Sequence, residues 1–406
     1  MSASLYFDNA ATMQPEREII ERYANLCRQH WWNPSSISQR SMETRQAIED
    51  VRKSILGHIN GKENDKIIFT SGGTEANNLA IKGWCFEKHK RFTTVYDKDG
   101  YYDYQTRVTP SIFISSLEHP SVVNPTVWLY EMRIANSANM IRCYDDGMVD
   151  LGSLEERIRY TQDTKYHPIF VSIMMANNEI GSINDIKAIS EIVHKYDGIL
   201  HVDAVQAFTH MKIDVQDMGI DMMSVSGHKF GAPHGIGFLY VKDGIELSPL
   251  LHGGGQEKGM RSGTEDAPSI IMMGEAIDQA YEHFNKDCGR LVKCRSLLWE
   301  LLSRNFDVKF NSPWDGLSNI TNVTLNGIDN EQLITNLDTF EFCQVSAGSA
   351  CHAGVKKPSK VLKEIGLTDK EINNTIRISM NRNTTEYEVK QFVAALKEQV
   401  EKLQML

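Results

Sequence analysis

Two residues of opposite charge each come directly after a run of residues that is typical of a buried strand. Asp203 follows His201-Val202, and Lys229 follows Ser224-Val225-Ser226-Gly227-His228. A carboxylate that ends a buried strand is costly unless a cation or a hydrogen-bond donor meets it. Taken singly, Asp203 is more simply a turn cap and Lys229 a solvated charge. Together they indicate a ligand site, because open α/β sheets bind ligands at the carboxyl ends of their strands.

The chemistry that suits this pair is that of pyridoxal phosphate. Lysine forms a Schiff base with this cofactor, and an aspartate pairs with its pyridinium nitrogen. Its phosphate could be bound by Thr70-Ser71-Gly72-Gly73-Thr74-Glu75, which follows an apolar run and precedes a predicted helix. Hydroxyls and backbone N–H groups at a helix start can bind an anion. The same residues are more often an ordinary helix N-cap, so this segment alone does not establish a phosphate site.

Among the seven cysteines, only Cys351 has surroundings that indicate chemistry. It lies in Ser346-Ala347-Gly348-Ser349-Ala350-Cys351-His352-Ala353-Gly354, where every other residue except His352 is small. This composition suits a loop that presents a thiol, and a nearby His352 would lower the pKa of that thiol. The odd number of cysteines and the lack of a C-x-x-C pair argue against a disulfide framework or a zinc ribbon. We predict no metal site.

The composition is that of a globular enzyme. The chain has 406 residues, 41% of them apolar and 24% charged, and a formal net charge of 43 − 53 = −10. This length predicts two or three domains of roughly 100–200 residues each, and the acidic balance argues against a general nucleic-acid or membrane-surface binder. No apolar run reaches the roughly 20 residues of a membrane-spanning helix. The first residues lack the basic and apolar regions of a signal peptide, so we expect a cytoplasmic location.

Short β-branched runs alternate with helical stretches along the first two thirds of the chain. The predicted strands are 67–70, 112–114, 169–175, 199–202, 222–226 and 237–241. Apolar strands that alternate with helices predict an α/β domain with a largely parallel sheet. After residue 266 a long helical stretch over 272–302 precedes three strand-like runs and a final helix that begins at the capping box Thr385-x-x-Glu388. This order of helices and strands predicts a smaller α+β domain. In the larger domain, the polar residues 88–107 predict a surface insertion.

The ordered motifs identify the chain as similar to the NifS/IscS-type cysteine desulfurases, which are class V aminotransferases of the aspartate aminotransferase-like fold type I. The resemblance covers nearly the whole chain. Besides the segments already described, it rests on 7–12 (FDNAAT), 33–36 (NPSS), 118–119 (EH), 177–181 (NNEIG), 253–257 (GGGQE), 261–264 (RSGT) and 376–379 (IRIS). It implies a large, mainly parallel seven-stranded domain at 17–265. It also implies a small α+β domain made of 1–16 and 266–406, which carries the cysteine loop.

The same resemblance implies how the cofactor is bound. Lys229 would hold pyridoxal phosphate as a Schiff base, Asp203 would pair with the pyridine nitrogen, and Gln206 would bond the phenolic oxygen. His119 would stack on the ring and move protons. The residues implied for the phosphate are Gly73, Thr74, Ser226 and His228, together with Thr264, which would reach the phosphate of the neighbouring subunit of a homodimer.

For the substrate, the resemblance implies L-cysteine. Asn178, which is also predicted to contact the cofactor, and Arg377 would bind the substrate carboxylate, arginine through its two-pronged fork. Cys351 would be the nucleophile that accepts the sulfur and holds it as a persulfide. The products would then be L-alanine and sulfur for an acceptor protein, either an iron–sulfur scaffold or a thiolation relay. Neither direct nucleic-acid binding nor membrane association is expected.

Three alternatives stay open at this point. The insertion at 88–107 and His352 after Cys351 are similar to features of selenocysteine lyases, which share the fold and cofactor. A second alternative is a catalytically inactive homologue that binds a scaffold, although Lys229, Asp203, Arg377 and Cys351 are all present. The third is a transaminating or decarboxylating relative, which would have no use for a cysteine loop. The sequence does not identify the final sulfur acceptor.

Overall fold

A seven-stranded sheet forms the centre of the larger part of the molecule. The computed structural model describes residues 5–96, 102–161, 166–348 and 358–405. The strands of this sheet are, in spatial order, β2 (Lys66–Thr70), β10 (Gly237–Val241), β9 (Met222–Ser226), β8 (Ile199–Asp203), β7 (Ile169–Met174), β5 (Ser111–Ser115) and β6 (Ser137–Ile141).

Every neighbouring pair in this sheet is parallel except the two pairs made by β10, which runs antiparallel to both β2 and β9. Strands β5, β7, β9 and β10 are buried at every position. This burial follows from their near-continuous apolar sequences, which suit a sheet covered on both faces. The predicted mainly parallel sheet of seven strands is confirmed.

Helices cover both faces of the sheet and one face of a smaller one. They are α1 (Arg17–Gln29), α2 (Gln39–His58), α3 (Gly73–Asn78), α4 (Trp84–His89), α5 (Pro120–Glu131), α6 (Leu151–Tyr160), α7 (Ile186–Lys195), α8 (Ala267–Glu282), α9 (Phe284–Asn305), α10 (Asn330–Glu341), α11 (Lys360–Glu364), α12 (Asp369–Asn373) and α13 (Glu386–Gln404). A π-helical segment, Leu79–Gly83, joins α3 to α4, so the helical run is continuous from residue 73 to residue 89. No helix in the described ranges is long and apolar enough to cross a bilayer.

The smaller sheet contains β11 (Val308–Phe310), β12 (Ile320–Leu325) and β14 (Thr375–Ser379), all antiparallel. Its apolar face packs against α9, α10 and α13 in a core that includes Leu298, Val323 and Phe392. A short parallel pair, β1 (Leu5–Tyr6) with β13 (Cys343–Gln344), brings the N-terminal residues to this part of the molecule. The predicted capping box is present, since Thr385 and Glu388 exchange side-chain-to-backbone hydrogen bonds of 3.2 and 2.8 Å.

Three local features differ from the sequence prediction. The segment 88–107 contains an antiparallel pair, β3 (Phe92–Tyr96) with β4 (Tyr102–Arg107), which its lack of periodicity had hidden. The helical stretch 272–302 is two helices, α8 and α9, that meet at His283. Strand β6 was missed because it lies at the sheet edge, where half-exposed polar residues are tolerated.

Helix α8 packs with the large sheet rather than with the small one. Its residues Ile270, Met273 and Ile277 belong to the same apolar core as the strands of the large sheet. The second core, around the small sheet, begins at Leu291 in α9. The domain boundary at residues 265 and 266 therefore stays a prediction.

A buried ion pair links α2 to the edge of the large sheet. The guanidinium of Arg52 binds both carboxylate oxygens of Glu257, at 2.8 and 2.7 Å, and also donates to the carbonyl of Ile67. Glu257 accepts a further hydrogen bond of 3.1 Å from the N–H of Phe69 in β2. The side chains of Arg52 and Glu257 are only 9% and 2% exposed. Removing the Glu257 charge would leave the buried Arg52 with the half-exposed Glu49, 2.9 Å from its Nε, as its remaining ion-pair partner.

We predict that Glu257→Gln lowers the free energy of unfolding by about 2 kcal/mol, because Arg52 loses its buried carboxylate partner and keeps only the half-exposed Glu49. Urea unfolding followed by far-UV circular dichroism measures this change. The matched control is Glu43→Gln on the same helix, which breaks the exposed pair Arg40–Glu43 and should cost less than about 1 kcal/mol. Equal losses in the two variants would contradict a structural role for the buried pair.

Candidate active site

The carboxyl ends of the central parallel strands open into one cavity of about 390 Å³. Among the residues that line it are ten of the twelve predicted site residues: Gly73, Thr74, His119, Asn178, Asp203, Gln206, Ser226, His228, Lys229 and Arg377. Thr264 does not line this cavity and is exposed. Cys351 lies outside the described residues.

The parallel register explains why residues so far apart in sequence meet here. Asp203 is the last residue of β8, where it pairs with Met174 of β7. Lys229 ends the one-turn helix Gly227–Lys229 that directly follows β9. His119 follows β5 and caps the start of α5. Because parallel strands end at the same edge, each of these side chains reaches the same cavity.

The carboxylate of Asp203 is fixed by two neutral donors. Its Oδ2 accepts a 2.8 Å hydrogen bond from Nδ2 of Asn77, and its Oδ1 accepts one of 3.0 Å from the N–H of Val205. Asn77 also donates to Ser121 at 2.8 Å, and its Oδ1 is buried without a partner in the part of the chain described here. Sequence reasoning missed Asn77. The sequence signal that could have identified Asn77 is its position four residues after Gly73, which places it on the same face of the helix.

The N-terminal strap, residues 7–12, forms one wall of the site. The Nζ of Lys229 donates to the carbonyls of Ala10 and Ala11, both at 2.8 Å. Gln206 donates to the same Ala10 carbonyl at 2.9 Å, and the hydroxyl of Thr12 lies 3.2 Å from Nδ1 of His228. The strap is one of the motifs that carry the family resemblance, but nothing in its spacing indicates that its carbonyls hold the lysine amine.

Two imidazoles border the cavity, and both favour the neutral form. Burial, assisted by the charge of Lys229, lowers the pKa of His119, while Asp203 opposes this shift. Burial and the charges of Lys229 and His234 lower the pKa of His228 to about 4. The Nδ1 of His119 accepts a 3.1 Å hydrogen bond from the N–H of Ser121, so the proton of the neutral ring is on Nε2. His119 is therefore neutral at neutral pH, with an N–H donor on Nε2.

Arg377 reaches the cavity from β14 of the small sheet and is only 2% exposed. Its Nη1 donates to the carbonyl of Asn178 at 2.8 Å, and its Nη2 forms a 2.7 Å ion pair with Asp8. Its Nε is buried and has no partner within the described ranges. The arginine predicted to bind the substrate carboxylate thus lines the cavity, and it already has a carboxylate neighbour, Asp8, that the sequence analysis does not predict.

The turn before α3 brings the backbone of Gly72 and Gly73 close to neighbouring residues of the site. Gly72 has a φ of +145°, which only glycine adopts readily, and a Cβ on Gly73 would lie 2.7 Å from Cγ2 of Val205. The start of the helical run 73–89 therefore faces the cavity with its backbone N–H groups, beside Thr74 and Ser226. This arrangement can bind an anion.

Thr264 belongs to a segment that is anchored near the same turn. Arg261 donates to Glu75 at 2.9 Å, and Glu75 accepts a 2.7 Å hydrogen bond from the N–H of Ser71. The segment is therefore tied to the start of the helical run, while Thr264 itself is exposed and is not among the residues that line this chain's cavity.

A glutamate that sequence reasoning gave no role lies directly behind the site. Glu118 accepts hydrogen bonds from the hydroxyl of Ser115 at 2.6 Å and from the N–H of Met174 at 2.8 Å. Its other oxygen is buried without a partner among the described residues. Burial raises the pKa of Glu118 to about 8; the charge of Asp203 adds to this shift, while the two hydrogen bonds and Lys360 oppose it.

Both described ends of the segment that carries Cys351 lie against Glu179. Ser359, just after that segment, donates to Oε2 of Glu179 at 2.6 Å. Gly348, just before it, lines the cavity, and a Cβ there would lie 2.9 Å from the same oxygen. Glu179 is itself buried and its carbonyl accepts a 3.2 Å hydrogen bond from Asn322. The described residues on either side of the segment, Gly348 and Ser359, therefore lie next to the same buried carboxylate.

Comparisons with known proteins agree over nearly the whole chain. Residues 5–392 match the family described as aminotransferase class-V. The chain is 35% identical to the cysteine desulfurase IscS of Dictyoglomus turgidum, over 100% of this chain and 97% of that protein. A NifS-like protein from Rickettsia africae has a TM-score of 0.84 at 28% identity, with 98% and 100% of the two chains covered. A structure described as SspA in complex with cysteine has a TM-score of 0.77 at 30% identity, with 94% and 99% covered.

The raised pKa of Glu118 predicts a pH-dependent contribution to stability. A group with a folded-state pKa of about 8, against 4.5 ordinarily, stabilises the protein fully below about pH 4.5 and loses this contribution as pH rises through about 8. We expect Glu118→Gln, which is neutral at every pH, to remove this part of the pH dependence.

Urea unfolding at about pH 5 and about pH 8.5 measures this effect. The wild type should lose more stability between the two values than Glu118→Gln does. Glu156→Gln, at an exposed position of α6, is the control and should follow the wild type. A Glu118→Gln variant that shows the wild-type loss would contradict the prediction.

Proposed function

Because the chain belongs to the class V aminotransferase family and matches cysteine desulfurases over its full length, we propose that it is a cysteine desulfurase. It takes the sulfur from L-cysteine, releases L-alanine, and holds the sulfur as a persulfide on Cys351 for an acceptor protein. The observation that carries this proposal is the convergence of Lys229, Asp203 and Arg377 on one cavity, with Gly348, three residues before Cys351, at its edge.

The residues around the cavity fit pyridoxal phosphate, the cofactor of this family. The cofactor has a phosphate, an aldehyde and a ring nitrogen that can carry a proton. The cavity offers a helix start at Gly73 and Thr74, the amine of Lys229 and the carboxylate of Asp203. Both hydrogen bonds to Asp203 come from neutral groups, so a cationic ring nitrogen would complete the charge balance of this buried carboxylate.

The proposed holding residues follow from this fit. Lys229 would bind the cofactor covalently, Asp203 would face its ring nitrogen, and Gln206 its phenolic oxygen. Gly73, Thr74, Ser226 and His228 would hold its phosphate, with His119 over the ring. When bound, pyridoxal phosphate supplies an electron sink that stabilises negative charge at the substrate Cα.

The chain's own residues supply binding and proton transfer. Arg377 and Asn178 would orient the cysteine carboxylate. Once the amine of Lys229 is released by the substrate, it can remove and return a proton at the substrate Cα, and neutral His119 can carry a proton within hydrogen-bond reach. The low exposure of Arg377 and Asp203 keeps bulk water away from these charges, which strengthens each electrostatic contact.

Cys351 is the proposed sulfur acceptor. Its thiolate attacks the sulfur of the bound substrate, the sulfur–Cβ bond of the substrate breaks, and a sulfur–sulfur bond forms on the protein. The three-carbon remainder takes up a proton and leaves as L-alanine. The balance is L-cysteine plus a protein thiol giving L-alanine plus a protein persulfide, with no external oxidant or reductant.

We further propose that the active unit is a cytoplasmic homodimer. Thr264 is exposed, yet its segment is anchored through Arg261 to Glu75 at the start of the proposed phosphate-binding helix. This placement supports its lending a hydroxyl to the partner subunit's phosphate site across a two-fold axis. The acceptor of the sulfur is a protein of iron–sulfur cluster assembly or of a thiolation relay.

The proposal predicts that the purified protein is yellow and that Lys229→Ala is colourless. After borohydride reduction, mass spectrometry should find the pyridoxyl phosphate adduct on the peptide that contains Lys229. Cysteine turnover should fall by at least about 10²-fold in the variant, because general acid–base catalysis is lost. Lys286→Ala, at an exposed position of α9, is the control. A colourless wild type that cannot be loaded with added cofactor would refute the proposal.

The proposed role of Cys351 predicts a separation of binding from sulfur release. Cys351→Ser should still bind L-cysteine, since Lys229, Asp203 and Arg377 are unchanged, but should release no sulfide and carry no persulfide. Cys27→Ser, at an exposed cysteine, should behave as the wild type. Sulfide and alanine assays with persulfide mass spectrometry provide the readout.

The same variant should be assayed with selenocysteine. Undiminished cysteine turnover in Cys351→Ser would show that Cys351 is an ordinary residue. Loss of cysteine turnover with retained selenocysteine turnover would favour a selenocysteine lyase, because selenium is the better leaving group.

A further inference from the structure

The guanidinium proposed to bind the substrate carboxylate already holds a carboxylate of the protein itself. Asp8 Oδ1 lies 2.7 Å from Nη2 of Arg377. We propose that Asp8 is a positioning residue that orients Arg377 and, through its charge, limits how tightly the site binds the carboxylate of substrate and product. This inference rests on the proposed function for the identity of that carboxylate.

The backbone fixes Asp8 beside Arg377. On either side of Asp8, the Phe7 carbonyl accepts a 2.6 Å hydrogen bond from the N–H of Ser379, and the Asn9 N–H donates to the Ser379 carbonyl at 3.2 Å. The Ser379 hydroxyl also accepts a 2.9 Å hydrogen bond from the N–H of Ala10. Ser379 is two residues after Arg377 in β14, so the two side chains lie on the same side of the strand. The ion pair is therefore part of the fold and not an incidental surface contact.

Arg377 retains donors for a second carboxylate. Of its five N–H groups, those on Nη1 serve the carbonyls of Asn178 at 2.8 Å and Gly348 at 3.5 Å, and one on Nη2 serves Asp8. Its Nε is buried without a partner in the described ranges, although the residue lines the cavity. A substrate carboxylate would therefore share the guanidinium with Asp8, and two like charges on one cation repel each other.

Asp8 thus has two effects of opposite sign on affinity. Its oxygen holds the planar guanidinium in one orientation, which favours two-pronged binding. Its charge repels the incoming carboxylate, which weakens binding. Substrate L-cysteine and product L-alanine carry the same carboxylate, so this weakening also speeds the release of alanine.

The two effects can be separated by substitution. Asp8→Asn keeps the Oδ1 acceptor for Nη2 but removes the charge, whereas Asp8→Ala removes both. We expect Asp8→Asn to bind L-alanine about tenfold more tightly than the wild type, since a like charge on the shared cation is gone. Asp8→Ala should bind it more weakly, because the arginine is no longer oriented.

Isothermal titration calorimetry of the cofactor-loaded protein with L-alanine measures these affinities without turnover. Asp217→Asn, which removes the charge from an exposed ion pair with Lys187, is the matched control and should bind L-alanine as the wild type does. In the steady state, Asp8→Asn should lower the KM for cysteine by a similar factor and lower kcat, because alanine leaves more slowly. A structural role alone would move both variants in the same direction.

Equal or weaker alanine binding by Asp8→Asn would overturn the proposal. Should that variant fail to fold, Asp8→Ser tests the same change of charge, and failure of both to fold would show that Asp8 is required for the fold and overturn the proposal as well. The experiment distinguishes failure of the proposed role of Asp8 from failure of the proposed function. A wild type that releases sulfide while Asp8→Asn binds alanine no more tightly refutes only the role of Asp8, and tighter binding without any desulfuration refutes only the function.

Discussion

The main-chain pairing of the N-terminal strap with Ser379 sets the distance between the two halves of the site. The strap joins β14, which carries Arg377, and its next two carbonyls, those of Ala10 and Ala11, hold the amine of Lys229 on the large sheet. Arg377 of the small sheet and Lys229, which follows a strand of the large sheet, are thereby both held by one short stretch of backbone. Without that stretch, the parallel strands could still place Lys229 and Asp203 together, but Arg377 would lose its ion pair with Asp8 and keep its hydrogen bond to the Asn178 carbonyl.

Much of this site could be predicted from the sequence because its residues stand at strand ends. Asp203 and Lys229 each close an apolar run, and in a parallel sheet that position determines which edge the side chain reaches. The turn at Gly72 and Gly73 was recognisable because only glycine allows such a close approach of the backbone. The predicted roles of these residues remain open to the experiments above.

The sequence did not predict the residues that act through tertiary contact. Asn77 binds Asp203 across a gap of 126 positions, and Asp8 meets Arg377 across 369. Glu118 belongs to a motif of the resemblance, but no role follows from that motif, and only its burial beside β5 and β7 makes its carboxyl unusual. Such contacts depend on which elements pack together, which local pattern cannot specify. Strand β6 was not predicted for a different reason. It lies at the edge of the sheet, where its residues are only partly buried, so its sequence lacks the apolar run by which a buried strand is recognised.

The contacts of Glu179 also affect which parts of this fold can change in length and sequence during evolution. The residues on either side of the segment 349–357 meet at one buried carboxylate, so the segment begins and ends at nearly the same place. The entropy of closing such a segment grows only slowly with its length. Insertions and replacements between these two anchors would therefore leave the sheets and the cavity intact. Descendants of one ancestral chain could in this way acquire segments of different length and composition while the cavity stays the same.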